Sequence, residues 1–128
     1  MLYIVIFAFI APFVLWPIEI FFPYPHIVEE LVKALLIFFL LKSNNTFQKV
    51  SGSISIGFLF GLAENLLYLL NSGTIEIRLL RFMLTMPLHI TTSLIILLSI
   101  LINKRLIFLG IILAGLVHYF FNIYVSTL

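Results

Sequence analysis

Five stretches of almost uninterrupted apolar residues run along this chain, separated by four short breaks that are polar or marked by proline. A helix rises about 1.5 Å per residue and a bilayer's hydrocarbon core is about 30 Å thick, so this pattern predicts membrane-spanning helices. They are expected over about residues 1–22, 26–41, 53–70, 77–102 and 106–125. Pro23 and Pro25 around Tyr24, with Trp16 nearby, mark an interface and a tight turn. Lys42 to Ser51, KSNNTFQKVS, reads as the clearest loop, Asn71 to Glu76, NSGTIE, as the next turn, and Asn103 to Arg105, NKR, as the last break. Pro12 and Pro17 are expected to kink the first helix, which neighbouring helices tolerate in a membrane. That helix lacks a basic start and an Ala-x-Ala exit, which predicts a retained span and not a signal peptide. The expected fold is all-α: a polytopic membrane bundle of about five helices in one domain, residues 1–128, without repeats.

Composition decides the solvent. With 63% hydrophobic and 9% charged residues, so small a chain cannot bury its apolar surface in a soluble core. Cys and Asp are both missing from the sequence, which excludes disulfides, thiolate metal sites, cysteine nucleophiles and aspartyl chemistry. The formal charge of +2 comes from seven Lys and Arg spread along the chain, not from a basic stripe, which argues against a nucleic-acid partner. Lys42, Lys49, Lys104 and Arg105 fall in loops on one side, while Arg78 lies on the other, with Arg81 and Lys33 about a turn inside. The positive-inside rule then places the N-terminus and the basic loops in the cytoplasm and the C-terminus outside.

Against this apolar background a few polar residues need an explanation. A charge at mid-bilayer costs about 2.5–3.5 kcal/mol on insertion scales, so intramembrane ionisable groups usually persist because they are paired or functional. Glu29 and Glu30 precede Lys33 by four and three residues, the favourable order for an ion pair. Counted from the outer helix ends at about 1.5 Å per residue, Glu29 and Glu30 lie about 5 Å deep, Asn122 about 6, Glu64 about 9, His118 about 12 and His89 about 18. Residues from four helices thus gather in or near one leaflet. Ser53, Gly57 and Gly61 form a small-residue stripe leading to Glu64, with Phe60, Glu64 and Tyr68 beside it. Arg81, Thr85, His89 and Ser93 form a polar stripe, and Gly110, Ala114, His118 and Asn122 are each four apart. Small residues let the backbones approach, and the polar groups then meet.

Together, Glu29-Glu30-x-x-Lys33, Phe60-Gly61-x-x-Glu64-Asn65 with Tyr68, Arg81 with His89, and His118-x-x-x-Asn122 resemble the successive motifs of the PrsW family of intramembrane proteases. That family is related in arrangement to the CAAX-prenyl endopeptidase and bacteriocin-processing superfamily. The resemblance implies an endopeptidase that cleaves a membrane-tethered or amphipathic peptide. PrsW-like enzymes are commonly classed as metalloproteases, whereas the CAAX branch, which has a histidine where this chain has Glu64, resembles a metal-free glutamate mechanism.

Peptide hydrolysis needs an activated water and donors for the oxyanion. Glu29 or Glu30, with Glu64, could hold and deprotonate that water; His118 and Asn122 could supply N–H donors; Lys33 or Arg81 would balance charge, with Asn65 in support. Glu30, Glu64, His89 and His118 could instead bind one divalent metal such as Zn²⁺ with a position left for water, and His89 as a second imidazole favours that. An HExxH motif does not occur, and Ser51, Ser53 and Ser55 sit at the end away from the histidines, which excludes the zinc-helix and serine types. Plainer readings stand beside these: an interfacial ion pair for Glu29 and Lys33, an interface residue for His26, a packing histidine for His89, and solvated ends for Glu19 and Glu76. Two rival functions are a small transporter or proton-conducting protein, which should line a path through both leaflets, and a non-enzymatic immunity or structural protein, which needs no converging site.

Overall fold

The computed structural model describes residues 2–69 and 74–127. Met1, Leu70, the Asn71–Gly73 part of the expected turn, Leu128 and the side chain of Glu19 lie outside the described residues. The elements are α1 (Leu2–Phe21), α2 (Pro25–Leu40), α3 (Thr46–Leu69), α4 (Ile75–Ile102), a single 3-10 turn (Lys104–Leu106) and α5 (Ile107–Ser126). All regular structure among the described residues is helical, so the molecule is an all-α membrane bundle.

Local chemistry explains where the helices begin. Pro25 opens α2, where its fixed φ fits and its missing N–H costs nothing. Thr74 caps α4 by accepting from the Ile77 amide, and Glu76 lies in the first turn, where the helix dipole favours an acid. Asn103 ends α4 and its Oδ1 accepts from the Arg105 amide at 3.0 Å, starting the next element at the expected NKR break. The third helix begins at Thr46 and not near Ser53. Asn45 Oδ1 accepts from the Phe47 amide at 2.9 Å, and Ser43 Oγ donates to Gln48 Oε1 at 2.6 Å. With a cap in place and neither Gly nor Pro in Thr46 to Ser51, the polar stretch winds into the helix instead of forming a loop.

Three helical segments, Thr46–Leu69, Ile75–Ile102 and Lys104–Ser126, are long and apolar enough to cross a membrane, and α1 adds a shorter apolar stretch, Leu2–Ile18. The expected second span is different in kind. α2 has 16 residues, about 24 Å of helix, and contains Glu29, Glu30 and Lys33. It packs against all four other α-helices, so its charges meet protein and not lipid.

α3 and α4 run antiparallel in a fixed register. Ser53 Oγ donates to the Ser93 carbonyl at 2.9 Å, Gly57 abuts the backbone of His89 and Ile90, and Gly61 faces Thr85 and Met86. A Cβ at Gly57 would stand 2.6 Å from Ile90 Cα, so only glycine admits this approach. The stripe of small residues thereby fixes the height of His89 relative to Glu64. Ile37, Ile56, Phe60, Ile96, Leu97 and Ala114 form the dry centre, while Phe7, Phe21, Phe38, Phe58, Phe108 and Phe120 point outward as lipid-facing surface.

Candidate active site

The charged face of α2 is turned fully inward: Glu30 and Lys33 have no exposed surface, and Glu29 is buried as well. Lys33 Nζ donates to Glu30 Oε1 at 2.5 Å and to Thr92 Oγ1 at 2.7 Å, and lies 3.2 Å from His89 Nδ1. The ammonium has three protons and three partners. The ring of Phe60 lies 5.6 Å from the same nitrogen and stacks near His89, closing the apolar side of the group.

His89 uses its other nitrogen, Nε2, to bond the carboxylate of Glu64 on α3. Glu64 is also bonded by the hydroxyl of Tyr68 one turn later, and the Arg81 guanidinium lies 4.4 Å over the Tyr68 ring. From α5, His118 Nδ1 lies 2.9 Å from Glu30 Oε1 and 3.7 Å from Glu29 Oε2. The rings of His89 and His118 stand edge to face, with centroids 5.0 Å apart. Four helices therefore contribute to one buried network.

Two small cavities, each of about 110 Å³, reach this network. One is lined by Glu64, Tyr68, Arg81, Thr85 and Asn122, the other by Trp16, His26, Glu29, Glu64, His118 and Asn122. A larger apolar cavity of about 520 Å³ lies beyond them between α3, α4 and α5, and shares Tyr68, Arg81 and Val125 with the first.

Glu29, Glu64, His89 and His118 each offer one ligand atom, and these atoms all lie within 4.8 Å of one another. Two carboxylates and two imidazoles suit a zinc-like ion. Of the four ligands expected from sequence, Glu64, His89 and His118 are in this group, and its fourth member is Glu29. Glu30, one residue on and about 100° further round the helix, binds Lys33 and His118 instead.

The remaining expected residues are placed as follows. Asn122 lines both small cavities beside Glu64 and Tyr68. Lys33 is at the centre of the network. The Arg81 guanidinium lies over the Tyr68 ring and lines one small cavity with Glu64, and Asn65 turns back to donate to the Gly61 carbonyl of its own helix at 2.8 Å, away from the cluster. Thr92 was not among the expected residues. It lies three residues after His89, on the same face as the polar stripe, and that spacing was the available signal. His26, expected at the interface, is buried with its ring centroid 6.0 Å from that of His118.

The family described as PrsW family intramembrane metalloprotease matches residues 5–128. No curated protein and no solved structure matches the chain.

Proposed function

The chain belongs to the PrsW family of intramembrane metalloproteases, and on that basis we propose that its buried glutamates and imidazoles hydrolyse a peptide bond of a membrane-tethered or amphipathic substrate. The observation that carries this reading is the convergence of Glu29, Glu64, His89 and His118 within 4.8 Å, beside cavities in an otherwise apolar bundle. Lipid-immersed charges are costly, and a purely structural bundle has no use for three carboxylates in one place.

Glu29 and Glu64 both line the cavity next to His118, so they hold the attacking water and take its proton. The Asn122 amide, which lines both small cavities, supplies a donor where negative charge develops on the substrate carbonyl oxygen. Tyr68 bonds Glu64 and fixes the direction in which its carboxylate faces. The donor set fits a divalent metal, which Glu29, Glu64, His89 and His118 would hold. Such an ion, when bound, polarises a carbonyl and makes its water more acidic.

The exposed Lys42, Lys104 and Arg105 lie at the helix ends remote from the cluster, which supports a cytoplasmic placement of those loops and of the N-terminus. The site then faces the outer half of the bilayer, and cleavage falls near the outer end of the substrate. A conduction path would need ionisable groups at both ends, and the buried ones among the described residues, from His26 to His118, all belong to or adjoin this cluster. Metal analysis of purified protein alongside peptide turnover tests the reading. Turnover that depends on Glu64 and on a bound divalent ion supports it, and an inert protein with an intact fold argues for the non-enzymatic alternative.

A further inference from the structure

Arg81 stands where two spaces meet. It lines a small cavity together with Glu64, and it also lines the apolar cavity of about 520 Å³ that continues from there toward the junction of α3 and α4. A water takes about 30 Å³, so the small cavity of about 110 Å³ has room for a few waters or the reacting atoms and little else. The larger one falls among the sizes, about 300–1,000 Å³, at which proteins enclose a ligand. A peptide whose bond reaches Glu64 therefore has the larger cavity for its flanking side chains.

The lining sorts what fits there. Leu62, Leu66, Leu69, Ile75 and Phe82 make the cavity apolar, and Arg78 and Arg81 add two cations about one helical turn apart, with no carboxylate on its wall among the described residues. Arg81 is half-buried with its guanidinium 4.4 Å over the Tyr68 ring, and it forms no ion pair among the described residues. Stacking occupies the face of a guanidinium and leaves its edge N–H groups to donate to a carboxylate. An acid placed directly beside Glu29 and Glu64 would be repelled by them. Across the Tyr68 ring, between Arg81 and Arg78, it would be held.

We infer that Arg81 is a specificity-determining residue: with Arg78 it selects a substrate segment that presents apolar side chains and one acidic residue close to the cleaved bond, the acid seated on the far side of Tyr68 from Glu64. An extended peptide advances about 3.3 Å per residue, and a single tyrosine ring separates Arg81 from Glu64, which puts the acid within about three residues of that bond. The assignment rests on the proteolytic reading of the cluster. A phospholipid offers apolar chains and an anion as well, but the continuity of the cavity with Glu64 favours the peptide.

The test uses a membrane-anchored peptide with a leucine-rich segment next to its anchor, in which one Glu is walked along the segment and each version is paired with its Gln counterpart. Cleavage by the full-length protein in phosphatidylcholine nanodiscs is followed by mass spectrometry. The expected result is a kcat/KM about 5-fold higher for Glu than for Gln at one fixed distance from the cleaved bond, the scale of an ion pair that solvent still reaches. In Arg81→Gln the ratio falls to about 1 whatever the overall rate, and in Arg81→Glu it turns in favour of a Lys peptide. An Arg81 that only balances the charge of the cluster would slow both peptides of a pair equally and keep the ratio, which overturns the inference. A wild-type protein indifferent to the acid overturns it too, and that comparison stands even if an Arg81 variant does not fold. Phosphatidylglycerol retained by the wild type and lost from Arg81→Gln, with no discrimination between peptides, overturns it in favour of a lipid. Affinities for the same pairs, measured on Glu64→Gln protein, give the ratio without turnover. Cleavage of no peptide by the wild type counts against the proteolytic reading, whereas equal affinities for Glu and Gln peptides count against the role of Arg81.

Discussion

Lys33 Nζ on α2 lies 3.2 Å from His89 Nδ1 on α4, and His89 bonds Glu64 on α3 through its opposite nitrogen. One ring is thus gripped from both sides by residues of two different helices. The ammonium that grips it is neutralised by Glu30, and neither partner of that pair reaches solvent.

Removing one member of a buried ion pair leaves the other charge uncompensated. Lys33→Met is expected to destabilise the bundle by about 3–5 kcal/mol, and the double variant with Glu30→Gln to recover part of that loss. Unfolding in mixed micelles measures both. Equal stability of the single variant and the wild type would show that the pair is not buried as described.

Gly57 tests the close approach of α3 and α4. An alanine Cβ there would meet the backbone of His89 and Ile90, and overpacking of this kind costs about 1–3 kcal/mol. Gly115 is the control, since a Cβ there has nothing within 4 Å. Gly57→Ala should lower both stability and turnover, whereas Gly115→Ala should leave turnover intact and stability equal or slightly raised, as expected for alanine in a helix.

Much of this arrangement is legible in the sequence. Ser53, Gly57 and Gly61 at spacings of four can serve only a helix face, and the structure seats that face on Ser93, His89 and Thr85. The distinction between Glu29 and Glu30 is not legible. Adjacent helix positions differ by about 100° in direction, and only the neighbouring helices decide which acid meets a lysine and which a cavity. The start of α3 was obscured for a related reason. KSNNTFQKVS is polar enough for a loop, but polarity reports exposure, and an exposed helical turn capped by Asn45 has the same composition. The short, charged α2 likewise reads as a span in isolation; its contacts with every other helix make it the buried centre.

Tyr68→Phe separates the two contacts of that side chain. The ring beneath Arg81 is kept and the hydroxyl bonded to Glu64 is lost. Hydrogen bonds to charged groups contribute about 1.5–3 kcal/mol to stability, so stability is expected to fall by up to about that much, and turnover to fall with it because the Glu64 carboxylate loses the group that orients it. Steady-state kinetics and a melting curve on the same preparation check this.

Chelation addresses the metal. Dialysis against a strong chelator should abolish turnover, and Zn²⁺ should restore it, with Glu64→Gln and His118→Ala showing reduced metal content by elemental analysis. Full activity in protein freed of metal would assign the chemistry to the carboxylates alone.

The most direct measurement is turnover of a membrane-tethered peptide by the purified protein and by Glu29→Gln, Glu64→Gln and His118→Ala, each first shown to keep its helical content and monodispersity. Positioned acid–base groups contribute about 10²- to 10⁴-fold, so a loss of that size in each variant is the predicted result. Undiminished cleavage by all three would contradict the assignment of hydrolysis to this cluster.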